Sequence, residues 1–256
     1  MEQQPGQNEQ EPKPYNVKEI EDLRSPVEKI LETIGPAIER GEYQLIIGDD
    51  ASGRVPTLIF KRIVDDVYDE HGFGRPITRF IAGAKHPNWA QTSEKEDKEK
   101  KVEEYLSSVK KQLQEKEQNG SVKALVVTDS IHTGVSLDPL VNALRKLDID
   151  FDIVTISAPH MGDYAEGIRG RWGKEFIVGQ PGESGILKKH LLGGVVKRPR
   201  DLFAESIRRT YLDYGAGFET AAETVSENLT KAHEDEGHLA SEIYKKWREE
   251  HPLVKE

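Results

Sequence analysis

Residues 122–136, Val-Lys-Ala-Leu-Val-Val-Thr-Asp-Ser-Ile-His-Thr-Gly-Val-Ser, decide the fold, because they read as a buried strand that leads into a small polar loop. The apolar run from Ala124 to Val127 is short and uninterrupted, as expected of a central parallel strand that is covered on both faces. Asp129 follows it, and a helical pattern begins near Leu137. Open α/β sheets bind their ligands at the carboxyl ends of strands, so the sequence predicts a ligand site here.

The loop before this helix has the residue types that hold a phosphate group. Gly134 lets the backbone approach a ligand closely, and the hydroxyls of Thr133 and Ser136 can donate hydrogen bonds. The free N–H groups at the start of a helix favour an anion. A monophosphate cradle is therefore expected at residues 133–136. The alternative is an ordinary strand followed by a Ser/Thr helix cap, since these residues favour such positions for structural reasons alone.

The rest of the chain alternates between strand and helix patterns on both sides of this segment. Such alternation predicts an α/β fold with a doubly wound, mostly parallel sheet flanked by helices. A charged segment with one thin apolar stripe predicts an exposed helix at 93–118. The other strands are predicted at Tyr43–Ile47, Ile77–Ala82, Phe151–Ser157 and Glu175–Val178, and helices at Pro56–Glu70 and Leu137–Leu147.

Three regions are distinguished by composition and pattern. Residues 1–16 are rich in Gln, Glu and Pro and predict a disordered tail. Residues 17–198 form the α/β domain, which begins with a helix capped by Ser25-Pro26 and ending at Gly35-Pro36. Residues 199–256 are predicted to be a helical extension, with helices near 201–214, 218–233 and 236–249.

Composition excludes several classes of protein. The net charge of −10 argues against nucleic acid as a partner, because binding to a phosphate backbone needs a basic surface. The absence of Cys excludes disulfides, thiolate catalysis and Cys-ligated zinc. No run approaches the roughly 18 apolar residues of a membrane span, and the first residues do not read as a signal peptide, so a cytoplasmic location without membrane contact is expected.

The segment 124–136 resembles the motif with which type I phosphoribosyltransferases bind 5-phosphoribosyl-1-pyrophosphate (PRPP). That motif has an apolar strand, two adjacent acids, three variable residues of which the last is often acidic, and Thr-Gly-x-Thr. By this resemblance Asp129 is the second acid, which holds the ribose hydroxyls, and the 5′-phosphate loop consists of Thr133, Gly134, Val135 and Ser136.

Two positions depart from the motif. Thr128 stands where the family has its first acid, and His132 stands where it often has the acid before Thr-Gly. The loss of the first acid predicts a weaker grip on the ribose and on Mg²⁺. A histidine next to the phosphate loop can act as a general base near neutral pH, so His132 joins Asp129 as a candidate catalytic residue.

Weaker similarities flank the central motif. The turn Gly48–Arg54 is similar to the family's pyrophosphate loop, and Lys85 corresponds to a pyrophosphate-binding lysine. The stretch Lys174–Gly179 resembles one in which, by the match, Phe176 stacks on the base and Glu183 helps to bind the metal. Within the turn, the residues that the resemblance implies for pyrophosphate are Ala51, Ser52, Gly53 and Arg54.

The resemblance implies an enzyme that binds PRPP with Mg²⁺ and transfers ribose 5-phosphate to a nitrogenous base, releasing pyrophosphate; a homodimer is a possible assembly. A second reading is a regulatory protein that retains the fold and senses a nucleotide without turnover. A third is a phosphosugar-binding α/β protein unrelated to PRPP. The clusters His160–Asp163 and His233–His238 lack the His-Glu-x-x-His spacing of a metal site and predict solvated loop and helix surface.

Overall fold

A five-stranded parallel sheet forms the centre of the computed structural model, which describes residues 15–49, 53–81, 92–117, 121–159, 161–182, 211–212, 219–220 and 222–253. The strands are β1 (Leu45–Asp49), β2 (Ile77–Ile81), β3 (Lys123–Ser130), β4 (Asp150–Ala158) and β5 (Phe176–Pro181). They lie in the order β2-β1-β3-β4-β5, and every neighbouring pair is parallel. A separate antiparallel pair consists of β6 (Tyr211–Leu212) and β7 (Glu219–Thr220).

Seven helices are present in the described part of the chain. They are α1 (Lys18–Glu21), α2 (Arg24–Glu39), α3 (Arg54–His71), α4 (Thr92–Glu117), α5 (Asp138–Lys146), α6 (Met161–Trp172) and α7 (Ala222–Glu250).

Alternate residues of the central strands face two separate apolar cores. Leu125 and Val127 of β3 lie in the core formed with α2, α3 and α7, while Ala124 and Val126 lie in the core formed with α4, α5 and α6. Because both faces are covered, β3 is apolar without interruption from Ala124 to Val127, as the sequence predicts. The prediction of a doubly wound α/β sheet is confirmed.

The first long helix differs from its prediction. Helix α2 begins before Ser25 and continues through Pro36 to Glu39, so Gly35-Pro36 does not end it. A proline inside a helix loses a hydrogen bond and crowds the preceding turn. The extra turn nevertheless places Ala37 and Ile38 in the core, and burial of these side chains offsets that cost.

The C-terminal region also differs from its prediction. Residues 211–212 form a strand rather than the end of a helix, and residues 201–210 lie outside the described part of the chain. The two predicted helices 218–233 and 236–249 are one continuous helix, α7. Its apolar side joins the core shared with α2 and α3 through Leu239, Ala240, Ile243 and Trp247. A continuous apolar stripe therefore joins the two predicted helices across residues 234–235.

Residues at the boundary of the predicted tail are held by α7. The Tyr15 hydroxyl donates to Glu242 Oε2 at 2.6 Å, and Asn16 Nδ2 donates to Asp235 Oδ1 at 2.9 Å. Asp235 also accepts the backbone N–H of Val17 at 2.7 Å. Tyr15 and Asn16 therefore belong to the folded domain rather than to the predicted tail, and residues 1–14 lie outside the described part.

Candidate functional site

The strand order reverses between β1 and β3, and this switch point locates the candidate site. From β1 the chain continues to one edge of the sheet through β2, and from β3 it continues to the other edge through β4 and β5. In open α/β sheets the crevice at the carboxyl ends of the two strands at such a point is the usual ligand site. The segment 131–137 lies at the carboxyl end of β3 and is named here the phosphate loop, after the role that the sequence predicts for residues 133–136.

Backbone hydrogen bonds fix both ends of the phosphate loop. The N–H of Ile131 donates to Ser157 O of β4 at 3.1 Å, and the N–H of Leu137 donates to Gly134 O at 3.0 Å. Gly134 has φ of +71°, a left-handed conformation that costs an L-residue with a side chain about 1–2 kcal/mol. The glycine that the sequence assigns to close ligand approach is therefore also required by the turn.

The phosphate loop contains both buried and exposed residues. Ile131, Gly134 and Leu137 are buried, whereas Thr133 and Ser136 are exposed. His132 and Val135 are exposed as well, and Val135 retains 44% of its accessible surface. The two residues with hydroxyl groups are therefore exposed, while the buried residues between and beside them fix the backbone of the loop.

Helix α6 supplies contacts to the phosphate loop that the sequence analysis missed. A Cβ atom on Gly134 would lie 2.7 Å from Trp172 Cζ2, so the indole packs directly against the loop backbone. Trp172 Nε1 donates to Asp138 Oδ1 at 2.8 Å, and Arg171 Nη2 donates to Thr133 O at 2.5 Å. Nothing in the spacing of these residues marks them, because the pairing of α6 with the loop depends on the packing of α5 and α6.

Two buried carboxyl groups lie at the carboxyl ends of β1 and β3. Asp129 is 4% exposed and Asp49 is 6% exposed. The register pairs Gly48 with Val127, which sets Asp49 beside Thr128, and Thr128 Oγ1 donates to Asp49 Oδ2 at 3.2 Å. Sequence analysis treats Asp49 only as part of a turn. The signal that it missed is strand pairing across the switch point, which one sequence does not display.

The turn after β1 is tightly closed against β3. The N–H of Gly53 donates to Asp49 O at 2.6 Å, and a Cβ atom on Gly53 would lie 2.7 Å from Val127 O. Arg54 begins α3, and its guanidinium lies 4.8 Å from the centre of the Phe80 ring of β2. The described part of the proposed pyrophosphate turn thus stands beside the same crevice, and its remaining residues, Ala51 and Ser52, lie outside the described chain.

Phe176 is not brought to the crevice. It is the first residue of β5, at the amino end of the strand, and it is 6% exposed. Its ring packs edge to face against Trp172 at 5.7 Å in the core that includes α5 and α6. This placement supports a core aromatic rather than a ring that stacks on a base. Lys85 and Glu183, assigned to pyrophosphate and metal, lie outside the described residues.

Only part of the segment His233–His238 is the solvated surface that the sequence predicts. It lies inside α7, where Asp235 is 4% exposed and Glu236 is 1% exposed. Burial raises the pKa of the Glu236 carboxyl, although a hydrogen bond with His233 Nδ1 at 2.8 Å opposes the rise. These acids are buried because α7 packs against α3 and the N-terminal segment, contacts that span most of the sequence. His160, in the other cluster, lies outside the described residues.

No three His, Asp or Glu side chains among the described residues form a set able to hold a metal ion. Mg²⁺ in phosphate-transfer sites is usually held by one or two carboxylates together with substrate phosphates, so Asp49 and Asp129 fit that kind of contribution. None of the described helices is both long and apolar enough to cross a bilayer.

No protein-family model matches the chain, and a search of curated proteins finds no relative.

Proposed function

We propose that this protein is a phosphoribosyltransferase-like enzyme that binds PRPP and transfers its ribose 5-phosphate to a nitrogenous base. The single observation that carries the proposal is the phosphate loop, which stands at the switch point of a parallel sheet beside the buried carboxyl of Asp129. A terminal phosphate and a ribose need those two features, an N–H and hydroxyl cradle and a nearby carboxylate, at neighbouring positions.

The candidate site residues that lie in the described part of the chain each have a part in the proposed reaction. Thr133, Gly134 and Ser136 hold the 5′-phosphate, and Asp129 accepts hydrogen bonds from the ribose hydroxyls. Arg54, beside the turn after β1, faces the pyrophosphate. When bound, Mg²⁺ supplies positive charge to the departing pyrophosphate, and Asp129 and Asp49 are the carboxylates available to it.

The transfer breaks the bond between the anomeric carbon and pyrophosphate oxygen and forms a bond from that carbon to a base nitrogen. Pyrophosphate leaves with the electron pair of the broken bond, and the proton of the attacking nitrogen passes to a general base. His132 is the residue proposed for that role, because it is exposed at the loop that holds the sugar. Positioning of the two reactants supplies a large part of the rate acceleration.

The proposal is tested by calorimetric titration of the whole chain with PRPP and Mg²⁺, followed by a panel of purine and pyrimidine bases assayed for pyrophosphate release. Binding with release of pyrophosphate supports the enzyme. Asp148→Asn, at an exposed position in the turn before β4, is the control for Asp129→Asn, because it changes the same group at the opposite edge of the sheet. Absence of PRPP binding by the native chain refutes the proposal.

A second candidate is a PRPP or nucleotide sensor that does not turn over its ligand. The observation that favours it is Thr128, which is fully buried and committed to a hydrogen bond with Asp49. The position at which the resembled motif places an acid therefore contributes no charge of its own. Binding of PRPP without pyrophosphate release for any base in the panel would select this candidate over the enzyme.

A further inference from the structure

We propose that Arg171, near the end of α6, is the cation by which the phosphate loop recognises a doubly charged phosphate monoester. This inference rests on the phosphosugar-binding function proposed above and names a binding residue that the resemblance to phosphoribosyltransferases does not include. It also restricts the substrate class to ligands with a terminal dianionic phosphate.

The guanidinium of Arg171 connects the two sides of the phosphate loop. Nη2 donates to Thr133 O at 2.5 Å, and Nε lies 3.4 Å from Asp138 Oδ1 in the first turn of α5. A Cβ atom on Gly134 would lie 3.3 Å from Nη2, so the cation stands directly against the turn. A phosphate held by the loop backbone would therefore meet this positive charge.

Arg171 retains donors for a ligand while it holds the loop. A guanidinium carries five N–H donors in a planar fork. Within the described residues, three of them are directed to Thr133 O, to Asp138 Oδ1 and, at 3.5 Å, to Gly167 O. The side chain remains 42% exposed, and two of the five N–H groups have no hydrogen-bond acceptor among these three, so they are the donors we assign to phosphate oxygens.

The charge of Asp138 makes a cation necessary at this position. Its carboxylate lies in the first turn of α5, where the helix dipole would otherwise favour an anionic ligand. Trp172 Nε1 binds the same Oδ1 atom but contributes no net charge. Arg171 is the group that balances Asp138, and its removal leaves the phosphate loop beside an uncompensated negative charge that repels phosphate.

Arg169 provides a matched control on the same helix. Its side chain is also 42% exposed, but its Nε donates to Glu175 Oε2 at 2.6 Å, away from the phosphate loop. Arg171→Ala and Arg169→Ala therefore change net charge equally and remove similar amounts of exposed side chain. A difference between the two variants reports position rather than overall charge.

The experiment titrates the whole chain and the variants Arg171→Ala, Arg171→Lys and Arg169→Ala with ribose 5-phosphate and with ribose. Arg171→Ala is expected to weaken ribose 5-phosphate binding by about ten-fold or more and to leave ribose binding unchanged. Arg171→Lys keeps the charge but loses the planar fork, so its affinity for ribose 5-phosphate is expected to lie between those of the native chain and Arg171→Ala. Arg169→Ala is expected to stay within about two-fold of the native chain, as is usual for a distant exposed charge.

A pH series separates recognition of charge from support of the loop. The second ionisation of a phosphate monoester occurs at about pH 6, so native affinity should rise between about pH 5 and 7.5 as the dianion forms. Both chains carry His132 in the loop, so comparison of the native chain with Arg171→Ala at each pH removes its contribution. Arg171→Ala should flatten that rise, which a merely structural effect on the loop would not do. Thermal unfolding of each variant confirms that it is folded, and Arg171→Lys provides the comparison if the alanine variant is not.

The outcomes separate the inference from the function on which it rests. If the native chain binds neither PRPP nor ribose 5-phosphate, the proposed function fails. If it binds PRPP but not ribose 5-phosphate, the loop does not recognise the terminal phosphate and the role of Arg171 is overturned. If the native chain binds it and Arg171→Ala behaves like Arg169→Ala, the role of Arg171 is overturned while the function stands. Equal loss of ribose and ribose 5-phosphate affinity, or an unchanged pH profile, also overturns it.

Discussion

Substitution of Gly134 by alanine tests whether the phosphate loop is held as the structure shows. Its φ of +71° costs a residue with a side chain about 1–2 kcal/mol. The new methyl group would also lie 2.7 Å from Trp172 Cζ2, a buried ring that can only move by repacking the core, which adds about 1–3 kcal/mol. The sum predicts that Gly134→Ala lowers the free energy of unfolding by about 2–5 kcal/mol.

Gly72 provides a control with the same backbone strain and no crowding. Its φ is +72°, and a Cβ atom there would meet nothing within 4 Å. Gly72→Ala should therefore lose only the conformational part, about 1–2 kcal/mol. Urea unfolding at equilibrium measures both variants, and calorimetry with ribose 5-phosphate measures binding. Equal stabilities for the two variants would refute the packing of Trp172 on the loop, and native affinity in a destabilised Gly134→Ala would refute the loop as the phosphate site.

Three further predictions follow from the site and its surroundings. Asp129→Asn should lower PRPP affinity by more than about ten-fold, since a charge-assisted bond contributes about 1.5–3 kcal/mol, and calorimetry that shows unchanged affinity would remove Asp129 from the ribose assignment. Thr128→Asp, which places an acid where the resembled motif has one, should destabilise the fold by about 2 kcal/mol or more at pH 7, because Asp49 Oδ2 lies 3.2 Å from Thr128 Oγ1. Urea unfolding should show that part of this loss is recovered at pH 4. An equal loss at both pH values would contradict charge repulsion as its cause. Glu42→Gln should lower the free energy of unfolding by about 0.5–1 kcal/mol at pH 7, because hydrogen bonds from Lys123 and Arg40 lower the pKa of Glu42 below its ordinary 4.5. The native chain loses this stabilisation as the pH falls through the lowered pKa. Urea unfolding that shows the same difference between the two chains at neutral pH and well below that pKa would argue against the ion pairs.

The sheet is predictable from the sequence because its central strands are buried on both faces. The uninterrupted apolar run at Ala124–Val127 and the helical periodicity of α3 and α5 are local signals that tertiary packing reinforces. Pro36 is a local signal that packing overrides. It lies in a helix whose apolar side is covered by the core, and the burial of that side exceeds the cost of the helix-breaking residue.

The candidate site is predictable only where its parts are contiguous in the chain. The phosphate loop and Asp129 lie within eight residues of one another, so their composition and order mark them. Arg171 and Trp172 contact this segment from α6. Asp49 contacts Thr128 from β1, and all three positions depend on the order of strands and on helix packing. Phe176 shows the converse, since a local motif match assigns it to the ligand while strand register places it at the opposite end of β5.

The pairing of Thr128 with Asp49 bears directly on how the crevice works. Neighbouring residues on a strand point to opposite faces, so an acid at 128 would share the face of Asp49 across one strand spacing. Two buried carboxylates at that distance would repel, and one would remain protonated near neutral pH. Threonine instead donates a hydrogen bond to the Asp49 carboxyl and adds no second acid beside it. The acid of this pair therefore belongs to β1, and with Asp129 a buried acid lies at the carboxyl end of each strand of the switch point.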